Sequence, residues 1–213
     1  VANAKGPVAL IIGGAKIDTK INVINHFFDI ADNIIIGGAM ANTFLTASKF
    51  DMGKSLVDED EIGTAKELMI RASSSKANIV LPIDFNGELN KFGSGKLHYA
   101  KSDSIKKTMI CEDIGELSIN LFTDIIRGSE TIFWNGTLGV AENKNFAIGT
   151  NKMIDTIADH DCVSIVGGGD TIAAIRNYKK GIIDEFSHAS TGGGSCLELL
   201  SGNKLPAIEM LKK

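Results

Sequence analysis

Three times in this sequence a short apolar run stops at glycines and a helix-like pattern follows. Val8-Ala9-Leu10-Ile11-Ile12 runs into Gly13-Gly14-Ala15-Lys16, and Val163-Ser164-Ile165-Val166 into Gly167-Gly168-Gly169-Asp170-Thr171. Phe186-Ser187-His188-Ala189-Ser190-Thr191 runs into Gly192-Gly193-Gly194-Ser195. A strand that ends in glycine and opens a helix leaves backbone N–H groups bare at the positive end of the helix dipole, where phosphate binds. Repetition of the device points to a protein shaped around a polyphosphate.

The same alternation extends along the chain. Apolar runs at 8–12, 33–36, 78–81, 131–134, 162–166 and 185–189 read as strands. Amphipathic stretches at 20–28, 39–48, 59–75, 118–127, 146–158, 171–178 and 195–200 read as helices. Such alternation predicts an α/β fold with a mostly parallel sheet and helices on both faces. Near-continuous apolar strands are what a sheet covered on both sides requires. Right-handed crossovers then gather the glycine turns at the carboxyl edge of the sheet. Residues 84–108 break the pattern with Asn86-Gly87, Gly93-Ser94-Gly95 and the alternating Leu97-His98-Tyr99-Ala100, which predicts a hairpin-like excursion. No repeat or linker divides the 213 residues, so one domain over 1–213 is expected.

A net charge of −4 without a basic face excludes wholesale nucleic-acid binding. No apolar stretch approaches the ~20 residues that span a bilayer, so no membrane partner is expected. Val1-Ala2-Asn3-Ala4-Lys5 has neither an initiator Met nor a signal-peptide plan, which predicts a fragment or a processed chain. Cys111, Cys162 and Cys196 form no CxxC pair, and an odd count suits a reducing, cytoplasmic location. Cys196, in the first turn of the third glycine-headed helix, is expected to be the most reactive thiol. Cys162 is expected to be buried and inert, and Cys111 to be raised in pKa by Glu112 and Asp113. His26, His98, His160 and His188 are scattered, read as structural or solvated, and make a structural zinc site improbable.

Two general phosphate motifs fail. Gly53-Lys54-Ser55 ends like a P-loop, but Ser48 stands where its first glycine belongs. After Gly167-Gly168-Gly169 the last glycine of a dinucleotide fingerprint is Ile172. Lys16 and Lys20 flank a helix start, where a lysine opposes the dipole. They read either as contacts for a bound anion or as solvated surface side chains. Asp170 reads either as a helix cap or as a hard ligand for Mg²⁺ held together with substrate phosphates. Gly192, Gly193 and Gly194 form either a packing turn or a set of N–H donors for charge developing on a phosphoryl group. Trp134 reads as core, and Glu142 as either a ribose ligand or a surface glutamate.

Gly13-Gly14-Ala15-Lys16 with Lys20, Ile34-Ile35-Ile36-Gly37-Gly38, Trp134-Asn135-Gly136 with Glu142, Gly167-Gly168-Gly169-Asp170-Thr171 and Ser190-Thr191-Gly192-Gly193-Gly194 occur in this order over almost the whole chain. Jointly they resemble the carboxyl-terminal half of phosphoglycerate kinases. The resemblance implies a Rossmann-like three-layer sandwich serving as the nucleotide-binding lobe of a two-lobed, monomeric enzyme. That enzyme moves the acyl phosphate of 1,3-bisphosphoglycerate to Mg–ADP, reversibly, with Mg²⁺ and ATP or ADP as the bound species. The amino-terminal lobe, which holds 3-phosphoglycerate, is not in this sequence, so the chain alone is expected to bind nucleotide without turnover. By the same resemblance Lys16 and Lys20 contact the phosphates and the transferring group. Gly14, Ala15, Gly167, Gly168 and Gly169 belong to the nucleotide site, with Gly168 also in the catalytic set. Gly37 and Gly38 flank the adenine, Asn135, Gly136 and Leu138 line the cleft, and Glu142 binds ribose. Asp170 holds the metal and Thr171 the phosphates, and Gly192, Gly193 and Gly194 donate to the transition state.

The sequence departs from the family at several of these places. Thr137 stands for a proline, Ala39 for a third glycine beside the adenine, and Ala141 for an aromatic beside Glu142. Asp18-Thr19 stands where Ser-Asp or Ala-Asp is common. Glu112 stands where a leucine would contact adenine, and residues 85–96 are unlike the family. Two other functions stay open on the residues alone: a nucleotide-binding module without transfer chemistry, and a Rossmann-type dehydrogenase, against which the failed fingerprint weighs.

Overall fold

β1 (Val8–Ile12) is apolar and buried at every position, and the alternation of its side chains divides the interior into two cores. The computed structural model describes residues 1, 4–203, 205 and 210. After β1 come α1 (Ile21–Phe27), β2 (Asn33–Ile36), α2 (Gly38–Ala47), α3 (Ile62–Ala72) and β3 (Asn78–Val80). Then follow β4 (Asp84–Leu89), β5 (Leu97–Lys101), β6 (Met109–Ile114), α4 (Glu116–Arg127) and β7 (Thr131–Asn135). The last elements are α5 (Ile148–Ala158), β8 (Val163–Gly167), α6 (Gly169–Tyr178), β9 (His188–Ser190) and α7 (Gly193–Leu200).

β3-β2-β1-β7-β8-β9 form one six-stranded sheet, and every pairing in it is parallel. Leu10, Ile12, Ile34 and Ile36 pack on one face against Val23, Ile24 and Phe27 of α1, Phe44 of α2, Leu68 of α3 and Leu200 of α7. Ile11, Ile35, Ile132 and Trp134 pack on the other against Phe122 of α4, Ile154 of α5 and Ile175 of α6. Helices therefore cover both faces, as the alternation predicts. Among the described residues no helix is long and apolar enough to cross a membrane.

The excursion is larger than a hairpin. β5-β4-β6 form a separate antiparallel sheet, whose third strand carries Cys111, Glu112 and Asp113. Asn86-Gly87, a turn signal by composition, lies inside β4, where the register shifts against β6. A side chain at Gly87 would collide with the Ile110 carbonyl, so this glycine serves close strand approach. Leu45, Met52, Phe85, Ala100, Ile105 and Met109 close a third apolar cluster that fixes the small sheet to the end of α2. The last strand begins later than its apolar pattern suggests, because Ile182–Glu185 close a short 3-10 turn before β9.

Candidate functional site

The strand order reverses between β1 and β7, and in open α/β sheets the crevice beyond such a reversal is where ligands sit. Here the loops beyond the carboxyl ends interlock through backbone. Gly13 N–H donates to Asn135 O at 2.9 Å, and Gly14 N–H to Thr137 O at 2.9 Å. Gly38 N–H donates to Leu138 O at 3.1 Å, and Met40 N–H to Gly14 O at 2.9 Å. Gly38 has φ +63°, and a Cβ there would lie 2.6 Å from Gly14 N and O. The glycines are required by this close approach as much as by any ligand.

Lys20 lies just before α1, and its side chain turns inward to the seam between β1 and β7. Its Nζ donates to Asn135 Oδ1 at 2.5 Å and to Gly13 O at 3.1 Å. Asn135 in turn donates through Nδ2 to Gly167 O at 2.8 Å, so one amide ties Lys20 to β8. Burial pulls the Lys20 ammonium down to about 8, opposed by the nearby Asp170 carboxylate and, more weakly, by Cys196. It is therefore not the solvated lysine that sequence alone left open. Lys16 is exposed.

Beside Lys20 lies a cavity of about 250 Å³ whose wall includes Gly14, Ala15, Lys16 and Lys20 from the first turn and Asn135 and Gly136 from the β7 turn. Gly168, Gly169, Asp170 and Thr171 complete it at the head of α6. Gly168, with φ 101°, is the N-cap residue, and no side chain caps the helix, which sets aside the capping role for Asp170. The Asp170 carboxylate is exposed at the cavity. Among the described residues no three His, Cys, Asp or Glu side chains cluster as a metal cage. One hard carboxylate beside bare N–H groups still fits Mg²⁺, which takes most of its shell from phosphate oxygens and water. Thr171 is fully buried, and its Oγ1 accepts from Gly136 N–H at 2.7 Å, so it braces the β7 turn while lining the cavity.

Several expected members stand elsewhere. Gly37 lines neither this cavity nor the neighbouring one, because the space a side chain there would take holds Leu138. Gly167 is buried against Cys196 in the same way. Glu142 is exposed and lines neither cavity. Gly192, Gly193 and Gly194 also lie outside both walls. They head α7 next to α6, and a Cβ on Gly193 would come 4.0 Å from Gly169 N. Cys196 is a correction: it points inward, 7% exposed, and burial raises its thiol despite Ser190 and Lys20. Cys162, expected to be buried, is half-buried, and burial and Asp161 raise it too. Cys111 is pushed up to about 11 by burial, which a hydrogen bond with Ser55 partly offsets and Glu112 slightly reinforces.

A second cavity of about 350 Å³ adjoins the first through Gly14, Ala15 and Thr137. Gly38, Ala39, Leu138, Phe85 and Phe92 give it a largely apolar wall suited to a planar ring. Of its polar members, Asn42, Glu112 and Asp113 are each at most 5% exposed. Sequence reasoning missed Asn42, whose signal was an amide inside the apolar run Met40-Ala41-Asn42-Thr43-Phe44 of α2. It noticed Glu112 only as a departure.

Burial pushes Glu112 and Asp113 each up to about 7, with Glu88 adding like-charge repulsion at Glu112. Backbone N–H groups of Gly149 and Ile114, each 2.9 Å away, offset part of the effect at Asp113. From about pH 4 to about 7 the folded chain holds more protons on these groups than the unfolded chain does. Their burial costs nothing at low pH, where both are protonated, and destabilises the fold progressively as pH rises through about 7. Urea titrations across this window are expected to show a shallower decline in Glu112→Gln than in the parent chain.

A family model described as phosphoglycerate kinase matches residues 1–203. Over 213 residues the chain is 40% identical to the phosphoglycerate kinase of Helicobacter hepaticus, covering 100% of this chain and 52% of that one. It is 42% identical over 211 residues to that of Francisella tularensis, covering 98% of this chain and 53% of the relative. The structure of phosphoglycerate kinase from Coxiella burnetii superposes with a TM-score of 0.93 at 33% identity, covering 99% of this chain and 54% of that one. The enzyme from Pyrococcus horikoshii gives 0.85 at 29% identity, covering 99% of this chain and 53% of that one. The chain thus spans about half the length of the relatives it matches.

Proposed function

The chain belongs to the phosphoglycerate kinase family, and from that premise we propose that it is the nucleotide-holding lobe of a two-lobed phosphoglycerate kinase. The observation that supports this most is the pair of adjoining cavities at the strand-order reversal. One is apolar and ring-sized, and the other carries Lys20, Asp170 and bare helix N–H groups.

In this reading the base enters the apolar cavity and the phosphates lie along Gly14, Ala15 and the head of α6. An oxygen of the ADP β-phosphate attacks the phosphorus of the acyl phosphate. The P–O bond to the acyl oxygen breaks, and its electrons leave with the carboxylate of 3-phosphoglycerate. Negative charge spreads over the equatorial oxygens, so the protein's task is positioning and neutralisation. Lys20 supplies a desolvated positive charge from below, and Lys16 a mobile one from the rim. The N–H groups of Gly192 and Gly194 would donate to the transferring group once the acid-binding lobe closes, whereas those of Gly168 and Gly193 already donate to Ser190 O at 3.3 Å and Thr191 O at 3.0 Å and would have to exchange these partners. Asp170 would hold Mg²⁺, which when bound neutralises phosphate oxygens.

Calorimetry tests the reading. The chain is expected to bind Mg–nucleotide and, in a coupled assay, to show no turnover by itself. Asp170→Asn is expected to weaken binding about tenfold or more in Mg²⁺ and little in EDTA. Equal losses in both would remove Asp170 from the metal, and turnover by this chain alone would overturn the two-lobe reading.

A further inference from the structure

The apolar cavity contains an unresolved electrostatic problem. Three buried side-chain atoms in its wall have no hydrogen-bond partner among the described residues: Asn42 Oδ1, Glu112 Oε1 and Glu112 Oε2. Asn42 is 2% and Glu112 5% exposed, so water does not compensate them freely. The Asn42 amide is oriented by Nδ2, which donates to Leu56 O at 3.0 Å, and this leaves its oxygen as the unused atom. Glu88, the neighbouring carboxylate, has no such deficit: Ser94 and Gly95 N–H groups donate to it at 3.0 and 2.8 Å. A buried unpartnered carboxylate is costly unless something brings it donors.

With Glu112 ionised all three unused atoms are acceptors, and a partner that brings two donors both satisfies them and favours that ionised form. Adenine offers one amino donor flanked by ring nitrogens that are themselves acceptors, so its lone pairs would face the oxygens of Glu112 and Asn42. Guanine offers its ring N1–H and its 2-amino group side by side. These match the two oxygens of a carboxylate as a charge-assisted, bidentate pair. From this complementarity we infer that Glu112, seconded by Asn42, is a specificity-determining residue that selects a guanine nucleotide over an adenine one. The inference rests on the nucleotide-lobe reading and concerns which base that lobe prefers.

The test measures Mg–GDP, Mg–IDP and Mg–ADP binding to the chain by calorimetry. Hypoxanthine keeps N1–H and lacks the 2-amino group, so it separates the two donors. GDP is expected to bind about tenfold or more tightly than ADP, with IDP between them. Glu112→Gln replaces an acceptor pair by one acceptor and one donor, the arrangement that suits the adenine edge. In that variant the preference is expected to shift toward ADP. ADP binding as tightly as GDP to the parent chain overturns the inference and leaves the nucleotide-lobe reading standing. Binding of neither nucleotide overturns both. Should Glu112→Gln not fold, the order of the three nucleotides on the parent chain decides alone. An equal change in all three affinities in the variant would make Glu112 structural.

Discussion

In a two-lobed kinase containing this chain, Lys20→Ala is expected to lower kcat about a hundredfold and to raise nucleotide KM only slightly, a loss of about 3 kcal/mol in the transition state. Lys20 is held between Gly13 O and Asn135 Oδ1, in the wall of the smaller cavity. Its ammonium is already desolvated, so it interacts with developing charge at short range without solvent reorganisation. At pH 7 it is largely protonated, since its pKa is lowered only to about 8. An approaching phosphate favours the charged form further. Lys20→Arg is not expected to rescue the rate, because a planar fork does not occupy the place of a compact ammonium between those two oxygens. A rise in KM with kcat unchanged would make Lys20 a ground-state binder instead. The variant also leaves Asn135 Oδ1 short of its donor, so urea titration must accompany the kinetics.

Gly136→Ala should unfold the protein more readily, by about 4 kcal/mol. Gly136 has φ +96°, and a Cβ there would lie 2.9 Å from Gly13 Cα and closer still to the Gly13 carbonyl. The neighbour is backbone at the centre of the sheet and cannot swing aside. Gly63→Ala is the control: nothing lies within 4 Å of its would-be side chain in α3, and the helix should gain about 0.5 kcal/mol. Urea midpoints of the two variants are expected to move in opposite directions. If Gly136→Ala stayed within ~1 kcal/mol of the parent, the interlocking of the β1 and β7 loops would not be structural.

The sheet was largely legible because its strands are apolar on both faces and end in glycine. β1 and β2 fall where the apolar runs place them, while β7 and β8 differ by a single residue at their ends. The small sheet was less legible. In β4 the composition Asn86-Gly87 mimics a turn, and only the approach of Ile110 shows why glycine is needed there. In β6 charged residues interrupt the run, since Glu112 and Asp113 are buried by tertiary contacts that no local pattern records. The same limit applied to the site. Glycine turns pointed to the smaller cavity, but the apolar one draws Asn42, Phe85, Phe92 and Glu112 from α2 and the small-sheet region. Gly37 lies outside both cavities, and a glycine cleared for a neighbouring side chain, here Leu138, reads in sequence like one cleared for a ligand.

The seam between β1 and β7 also bears on how the protein is made. Lys20 and Asn135, which meet there, are 115 residues apart in the chain. As the polypeptide leaves the ribosome, β1, β2 and β3, which pair in the finished sheet, are all available before β7 emerges. Through that interval β1, fully enclosed in the finished sheet, is an edge strand with its apolar side chains set and its outer hydrogen-bonding groups open. Closing so long a loop is slow relative to local pairing. Nascent chains stalled before β7 should therefore depend on chaperones for solubility, and that dependence should end once β7 has docked.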